Sequence, residues 1–215
     1  PFVKYWLHCK HLLVNGQKMS KSLGNFYSLE DLKQFEPKTI RFALLVGYYR
    51  KQLDFRISEV QKLDKKRKQL NETIQRLLET KTEKPENEKT KKIVQETLKK
   101  FENALDNDLN TPKAFTVLFD FAKKTNQLID QHFGKKDAAR LLEAFQKIDS
   151  VFGILDFEKK AVEKLPTEIA ELIKKREELR QQQKWKEADE IRARLKQKGI
   201  ELMDTLTGTK WKKTG

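Results

Sequence analysis

Apolar residues recur every three or four positions along most of the chain, with charged residues between them. Val60, Leu63, Leu70, Ile74, Leu77 and Leu78 follow this rhythm and predict a long amphipathic helix beginning at Ser58. The polar stretch Lys81 to Lys89, which contains Pro85, predicts an exposed link. A second helix carries Ile93, Val94, Leu98, Phe101 and Leu105. Thr111-Pro112 reads as an N-cap followed by proline in the first turn, opening a third helix with Ala114, Phe115, Val117, Leu118, Phe119, Phe121, Ala122, Leu128 and Ile129. It ends before Gly134. A fourth carries Ala138, Leu141, Leu142, Phe145, Ile148, Val151 and Phe152 and stops near Gly153. Four helices on short links predict a bundle.

The pattern differs at both ends. Leu12, Leu13 and Val14 read as a strand, Asn15-Gly16 as a turn, and Lys18 to Asn25 as a loop. Ser28 and Asp31 have capping-box spacing and predict a short helix through Phe35. Pro37 then starts a helix whose run Ile40, Phe42, Ala43, Leu44, Leu45, Val46 is apolar nearly all round, so it is expected to be buried and to stop near Gly47. Beyond a polar link at Glu158 to Pro166, two helices are predicted at Thr167 to Gln182 and Lys184 to Lys198. Ile169, Leu172, Ile173 and Leu179 pack against Ala188, Ile191 and Leu195, with Gly199 just past the end. Ile200 to Met203 and Thr209 to Lys212, around a turn containing Gly208, have the pattern of a β-hairpin. The fold class is mainly α.

Charge narrows the partners. Lys and Arg number 46 against 32 Asp and Glu, a net +14, which suits a polyanion. The longest apolar run, Phe42 to Tyr49, includes Gly47 and falls far short of the roughly 20 residues that cross a bilayer. No membrane association is expected. A single cysteine, Cys9, makes no internal disulfide, so a reducing cytoplasm is the default. The opening residues from Pro1 to Trp6 lack the form of a signal peptide, and the chain reads as cut from something longer. Two stretches concentrate basic residues. Lys62 to Lys68 holds Lys62, Lys65, Lys66, Arg67 and Lys68 against Asp64, and Lys174 to Lys198 holds ten basic residues against five acidic. Trp185 stands between Lys184 and Lys186, and Trp211 among Lys210, Lys212 and Lys213. Either ring can stack on an unpaired base while its neighbours hold phosphates. Core packing competes with that role and is slightly favoured for Trp185, leaving Trp211 the better candidate.

Lys18-Met19-Ser20-Lys21-Ser22 carries the clearest chemistry. Two ammonium groups three residues apart, with hydroxyls between them and Gly24 after, can follow a triphosphate into its transition state. When a carboxylate attacks the α-phosphorus of ATP, charge builds on the non-bridging and pyrophosphate oxygens, and cations placed there lower the barrier. The pentapeptide resembles the KMSKS signature of class I aminoacyl-tRNA synthetases. The longer stretch from Trp6-Leu7-His8 through Leu12 to Gly16 and Lys18 to Phe26 is similar to the cysteinyl-tRNA synthetases. Asp106 to Pro112 and Lys184-Trp185 through Gly208 to Trp211 agree with them.

The resemblance implies a division of the chain. Residues 1–40 would be the end of a Rossmann-type catalytic domain with the loop, and 41–57 a connecting helix and turn. Residues 58–157 would form a helical bundle that braces tRNA, and 158–215 an anticodon-recognising domain. It further implies ATP, with Mg2+, and cysteine as substrates, tRNA(Cys) as partner, Lys18 and Lys21 as catalytic, and Lys18, Met19, Ser20, Lys21 and Ser22 as the ATP-binding residues. The family's HIGH-type motif has no counterpart in the chain, and the zinc of the whole enzyme would take ligands from outside it. Cys9 with His8, His11 and His132 cannot close a four-ligand site without carboxylates, so no metal site is expected here. Alone, the 215 residues are expected to be inactive. Two alternatives stand: a cysteine ligase of the mycothiol pathway, or a stand-alone helical RNA-binding module with a relict loop.

Overall fold

The computed structural model describes residues 2–131, 133–159, 167–182, 184–205 and 208–213, without the side chains of 167, 168, 170, 181, 201, 203–205 and 208–213. His132, most of the predicted link up to Pro166 and the hairpin turn at 206–207 therefore lie outside the described residues. The chain divides into two compact units, Pro1–Lys159 and Lys160–Gly215.

In the first unit, β1 (Leu13–Val14) turns through Asn15 and Gly16 into the antiparallel β2 (Gln17–Lys18), pairing Leu13 with Lys18 and Val14 with Gln17. Asn15 and Gly16 have φ of 51° and 80°, the two left-handed residues that a tight I′ hairpin demands. β3 (Asp54–Phe55) runs parallel to the other edge of β1. A two-residue strand carries no alternation, and neither β2 nor β3 was legible from hydrophobic pattern. Between hairpin and β3 lies α1 (Pro37–Leu45), started by proline as expected.

The predicted Ser28–Phe35 helix is instead a run of turns. The reciprocal cap forms, with the Ser28 hydroxyl donating to Asp31 Oδ2 at 2.7 Å and the Ser28 backbone N–H at 2.8 Å. Leu32 is buried and Phe35 packs against the core, but Leu29 is 80% exposed, so a segment this short buries too little to offset the cost of nucleating a helix.

Four long helices follow: α2 (Ile57–Leu78), α3 (Glu88–Asp106), α4 (Thr111–Asp130) and α5 (Lys135–Phe152). Helix α3 packs on α4 and α5, and α2 on α1, α4 and α5. Their shared core is rich in phenylalanine. Phe115 and Phe152 stack with centroids 4.0 Å apart, Phe42 lies 4.8 Å from Phe115, and Phe101 meets Phe152 edge-on at 5.4 Å. Because Phe42, Ala43, Leu32 and Phe55 belong to the same buried cluster, the scaffold of the hairpin is anchored in the bundle's own core.

Two helix ends are set by specific residues. Asn110, not Thr111, caps α4: its side-chain oxygen accepts from the Lys113 backbone N–H at 3.1 Å, and the Thr111 hydroxyl donates to the Gly47 carbonyl at 3.1 Å. Gly153 ends α5 in the left-handed region, φ 63°, where an added Cβ would also lie 3.2 Å from Arg41 Nε.

The second unit pairs α6 (Thr167–Gln181) with α7 (Trp185–Gln197), which leads into an antiparallel hairpin of β4 (Ile200–Thr205) and β5 (Gly208–Lys213). Leu179, Ala188, Ile191, Leu195, Ile200 and Leu202 form its core, flanked by Ile169, Leu172 and Ile173, the face read from the sequence. Gly199 adopts φ 74° between helix and strand.

Candidate functional site

Lys18 ends β2, and the chain then folds back on itself through Phe26. Asn25 organises the turn. Its amide nitrogen donates to the Lys18 carbonyl at 3.0 Å, and its oxygen accepts from the Ser20 backbone N–H at 2.8 Å. The Gly24 N–H reaches the Lys21 carbonyl at 3.2 Å, with Gly24 at φ 65°. The Ser20 and Ser22 hydroxyls lie 2.7 Å apart, and the Ser22 N–H donates to Ser20 Oγ at 3.2 Å. Lys21 Nζ lies 5.6 Å from the centre of the Phe26 ring.

Both lysines are exposed, and among the described residues neither has a carboxylate within ion-pair distance. The turn thus presents two unneutralised cations and a hydroxyl pair on one short loop, while Met19 and Ser20 are half-buried. That arrangement meets the needs of a polyphosphate: point charges free to follow it, with hydroxyl donors alongside.

The hairpin is tied down from beneath. The Gly16 N–H donates to Asp54 Oδ1 at 2.8 Å, and Arg56 pairs with Asp54 at 2.6 Å. The Gly16 hydrogen bond, then Arg56, hold the Asp54 carboxyl below its usual range. The Leu13 N–H donates to the Leu53 carbonyl at 2.8 Å and the Lys10 N–H to that of Tyr49 at 3.1 Å. Asn25 and Asp54 escaped the sequence reading as functional residues. For Asn25 the available signal was its place in the KMSKS-like stretch; for Asp54 there was none.

The two basic stretches fare differently. In the run from Lys62 to Lys68, Lys62 pairs with Glu59 at 2.6 Å, Lys68 with Asp64 at 2.7 Å, and Lys66 lies 5.6 Å from the Phe119 ring centre. Arg67 is buried, 1% exposed. It donates to Thr39 Oγ1 at 3.0 Å, the Ile154 carbonyl at 3.3 Å and Asp156 at 2.9 Å, and pairs with Glu36. Arg67 therefore belongs to the scaffold, while Lys62, Lys65, Lys66 and Lys68 remain on the exposed face of the helix.

In the second unit Trp185 opens α7 and is 56% exposed, with the Arg180 guanidinium 5.9 Å from its ring centre. Core packing, slightly favoured from sequence, is not what the structure shows. Strand β5 sets Trp211 opposite Leu202, Lys210 opposite Met203, Lys212 opposite Glu201 and Lys213 opposite Ile200. The side chains of Trp211, Lys210, Lys212 and Lys213 lie outside the described residues. Trp185 has the exposure that stacking on a base requires.

Among the described residues no three His, Cys, Asp or Glu side chains come together as a metal site. Cys9 is exposed, and the His8 ring stacks on Trp6 at 6.1 Å. The zinc that the resemblance implies does not fit these residues. No helix among them is long and apolar enough to cross a membrane.

Comparison with known proteins agrees in three consecutive places. Residues 1–65 match the tRNA synthetases class I (C) catalytic domain, 100–156 a DALR domain, and 162–211 the cysteinyl-tRNA ligase anticodon binding domain. Over 99% of its length the chain is 39% identical to a cysteine–tRNA ligase of Chlamydia muridarum, 40% to one of Chlamydia abortus and 39% to one of Brachyspira hyodysenteriae. It spans 47%, 45% and 46% of those relatives, slightly under half of each.

Proposed function

Because the chain belongs to the cysteinyl-tRNA synthetase family, we propose that it is the C-terminal portion of a cytoplasmic enzyme that activates cysteine with ATP and transfers it to tRNA(Cys). In the first step the cysteine carboxylate attacks the α-phosphorus, the bond to the bridging oxygen breaks, and pyrophosphate leaves with the electron pair. In the second, the terminal ribose hydroxyl of the tRNA attacks the activated carbonyl carbon and AMP departs.

Lys18 and Lys21 meet the oxygens on which charge accumulates in the first step, and Ser20, Ser22 and the loop N–H groups add directed donors. Met19 lies between the two lysines, half-buried. Asn25 acts through the backbone: by joining Lys18 to Ser20 it fixes the separation of the two lysines before ATP arrives. In this reading residues 1–40 end the catalytic domain, 41–57 connect, 58–157 brace the tRNA and 158–215 recognise its anticodon, with Trp185 stacking on an unpaired base. Mg2+ accompanies ATP. Zinc, where the enzyme holds it, takes ligands from elsewhere, and no step performed by this chain passes through it.

The observation that carries the proposal is the order of the three family matches on one chain, the last of them to an anticodon-binding domain. A tRNA acceptor accounts for that third match; an amino-sugar acceptor does not. The test is charging by the full-length protein. Cysteine should be esterified to tRNA(Cys) and not joined to an amino sugar, and pyrophosphate exchange should require cysteine. The isolated 215 residues should catalyse no exchange, and measurable exchange by them would overturn the assigned division of labour.

A further inference from the structure

Asp108 and Leu109 are consecutive non-glycine residues with φ of 56° and 51°, between α3 and α4. The left-handed region is disfavoured for residues with a Cβ, and two in succession persist only when their surroundings hold them. The Asp108 carboxylate is gripped by three successive residues that follow α1. It accepts from the Tyr48 hydroxyl, from the Tyr49 hydroxyl at 2.5 Å, and from Arg50 Nε and Nη2 at 2.5 and 2.9 Å. One residue earlier, the Gly47 carbonyl accepts from Thr111. Arg50 first, then the two tyrosines, hold the carboxyl well below its usual range.

The same short segment has a second set of bonds. The Tyr49, Leu53 and Phe55 carbonyls accept from the Lys10, Leu13 and Asn15 N–H groups at 3.1, 2.8 and 3.4 Å, and Asp54 accepts from Gly16. Residues 47–55 are thus bonded on one side to the turn between α3 and α4 and on the other to the hairpin that ends at Lys18. Neither the nucleotide chemistry nor the bundle's apolar core requires this clasp.

We infer that Asp108 is a positioning residue that ties the placement of the phosphate loop to the helical bundle, so that RNA held by the bundle and ATP held by the loop alter each other's binding. This rests on the reading of the loop as an ATP site and of the bundle as an RNA support. Asp108 touches neither ligand; it acts through Tyr48, Tyr49 and Arg50.

The test is a linkage measurement on the full-length enzyme without cysteine: the Kd for ATP with and without saturating tRNA(Cys), in the wild type, Asp108→Asn, Asp108→Glu and the double variant Tyr48→Phe, Tyr49→Phe. Coupled sites typically shift one another about fivefold or more, and the shift is reciprocal. The wild type should show such a shift. Asp108→Asn should reduce it below about twofold while leaving the Kd for ATP alone within about twofold, and Asp108→Glu should restore part of it. The double tyrosine variant keeps the Arg50 pair and should fall between. A clasp that serves only folding predicts no such selective loss: undiminished coupling in both Asp108→Asn and the tyrosine variant, or no coupling in the wild type, overturns the inference. A wild type that binds tRNA but not ATP overturns the ligase reading as well.

Discussion

Asn25 and Trp185 show how much a single side chain can decide. Replacing Asn25 by Asp keeps the acceptor for the Ser20 N–H but removes the donor to the Lys18 carbonyl and sets a negative charge beside it. Losing a hydrogen bond and adding that repulsion is worth about 1–3 kcal/mol. Asn25→Asp in the full-length enzyme should therefore slow pyrophosphate exchange about tenfold or more, while the thermal midpoint moves little because the loop is at the surface. A steady-state exchange assay beside a melting curve checks both. Trp185→Ala should weaken tRNA binding by about 1–3 kcal/mol, the usual worth of one stacked base, and leave helix content unchanged. Equal affinity by filter binding would remove Trp185 from the interface. The sequence pointed to Trp185 through its lysine neighbours, but the choice between core and surface depended on where α7 begins relative to its buried stripe Ala188, Ile191 and Leu195.

The network around Arg67 joins α1, α2 and the segment after α5. Asp156 accepts from Arg67 at 2.9 Å, Asn71 at 2.6 Å and Lys38 at 2.7 Å. Burial alone would raise the Asp156 pKa, but Lys38 and Arg67 outweigh it and hold it below its ordinary 3.8. A carboxylate stabilised by folding contributes fully above its unfolded pKa, and that contribution is lost as pH falls through the lower folded value. Asp156→Asn should therefore destabilise the protein by about 1–3 kcal/mol at pH 7, and the gap should narrow below about pH 4. Urea titrations at pH 7 and pH 3 test this; a gap constant across the range would contradict it. The helices themselves were largely legible, because each of α2 to α5 buries one stripe and the 3.6-residue rhythm records it. Arg67 was not, since a run of five basic residues looks the same whether one of them turns inward or not. The Ser28 cap was read correctly and the helix it seemed to start was not, because a cap closes a helix end without supplying the buried face that sustains it. The left-handed pair at Asp108 and Leu109 left no mark either: neither residue type announces a positive φ as glycine does.

The whole molecule combines a net charge of +14 with a loop whose two lysines have no carboxylate partner among the described residues. Two compact units carry these features, one with the loop and the helical bundle, the other with the Trp185 surface. The mainly α class followed from periodicity, whereas the assignment of the first residues to a catalytic domain came from resemblance, since a three-stranded sheet of two-residue strands has no pattern of its own. In the proposed function the central demand is the one that ATP places on Lys18 and Lys21. Cysteine-dependent pyrophosphate exchange should be measured in the full-length protein with both replaced by methionine, which keeps length and removes charge. Loss of one preorganised group of this kind typically costs about 10²–10³ in rate, so the double variant should be at least that much slower while its circular dichroism and tRNA affinity stay near those of the wild type. Exchange at the wild-type rate in that variant would contradict the account.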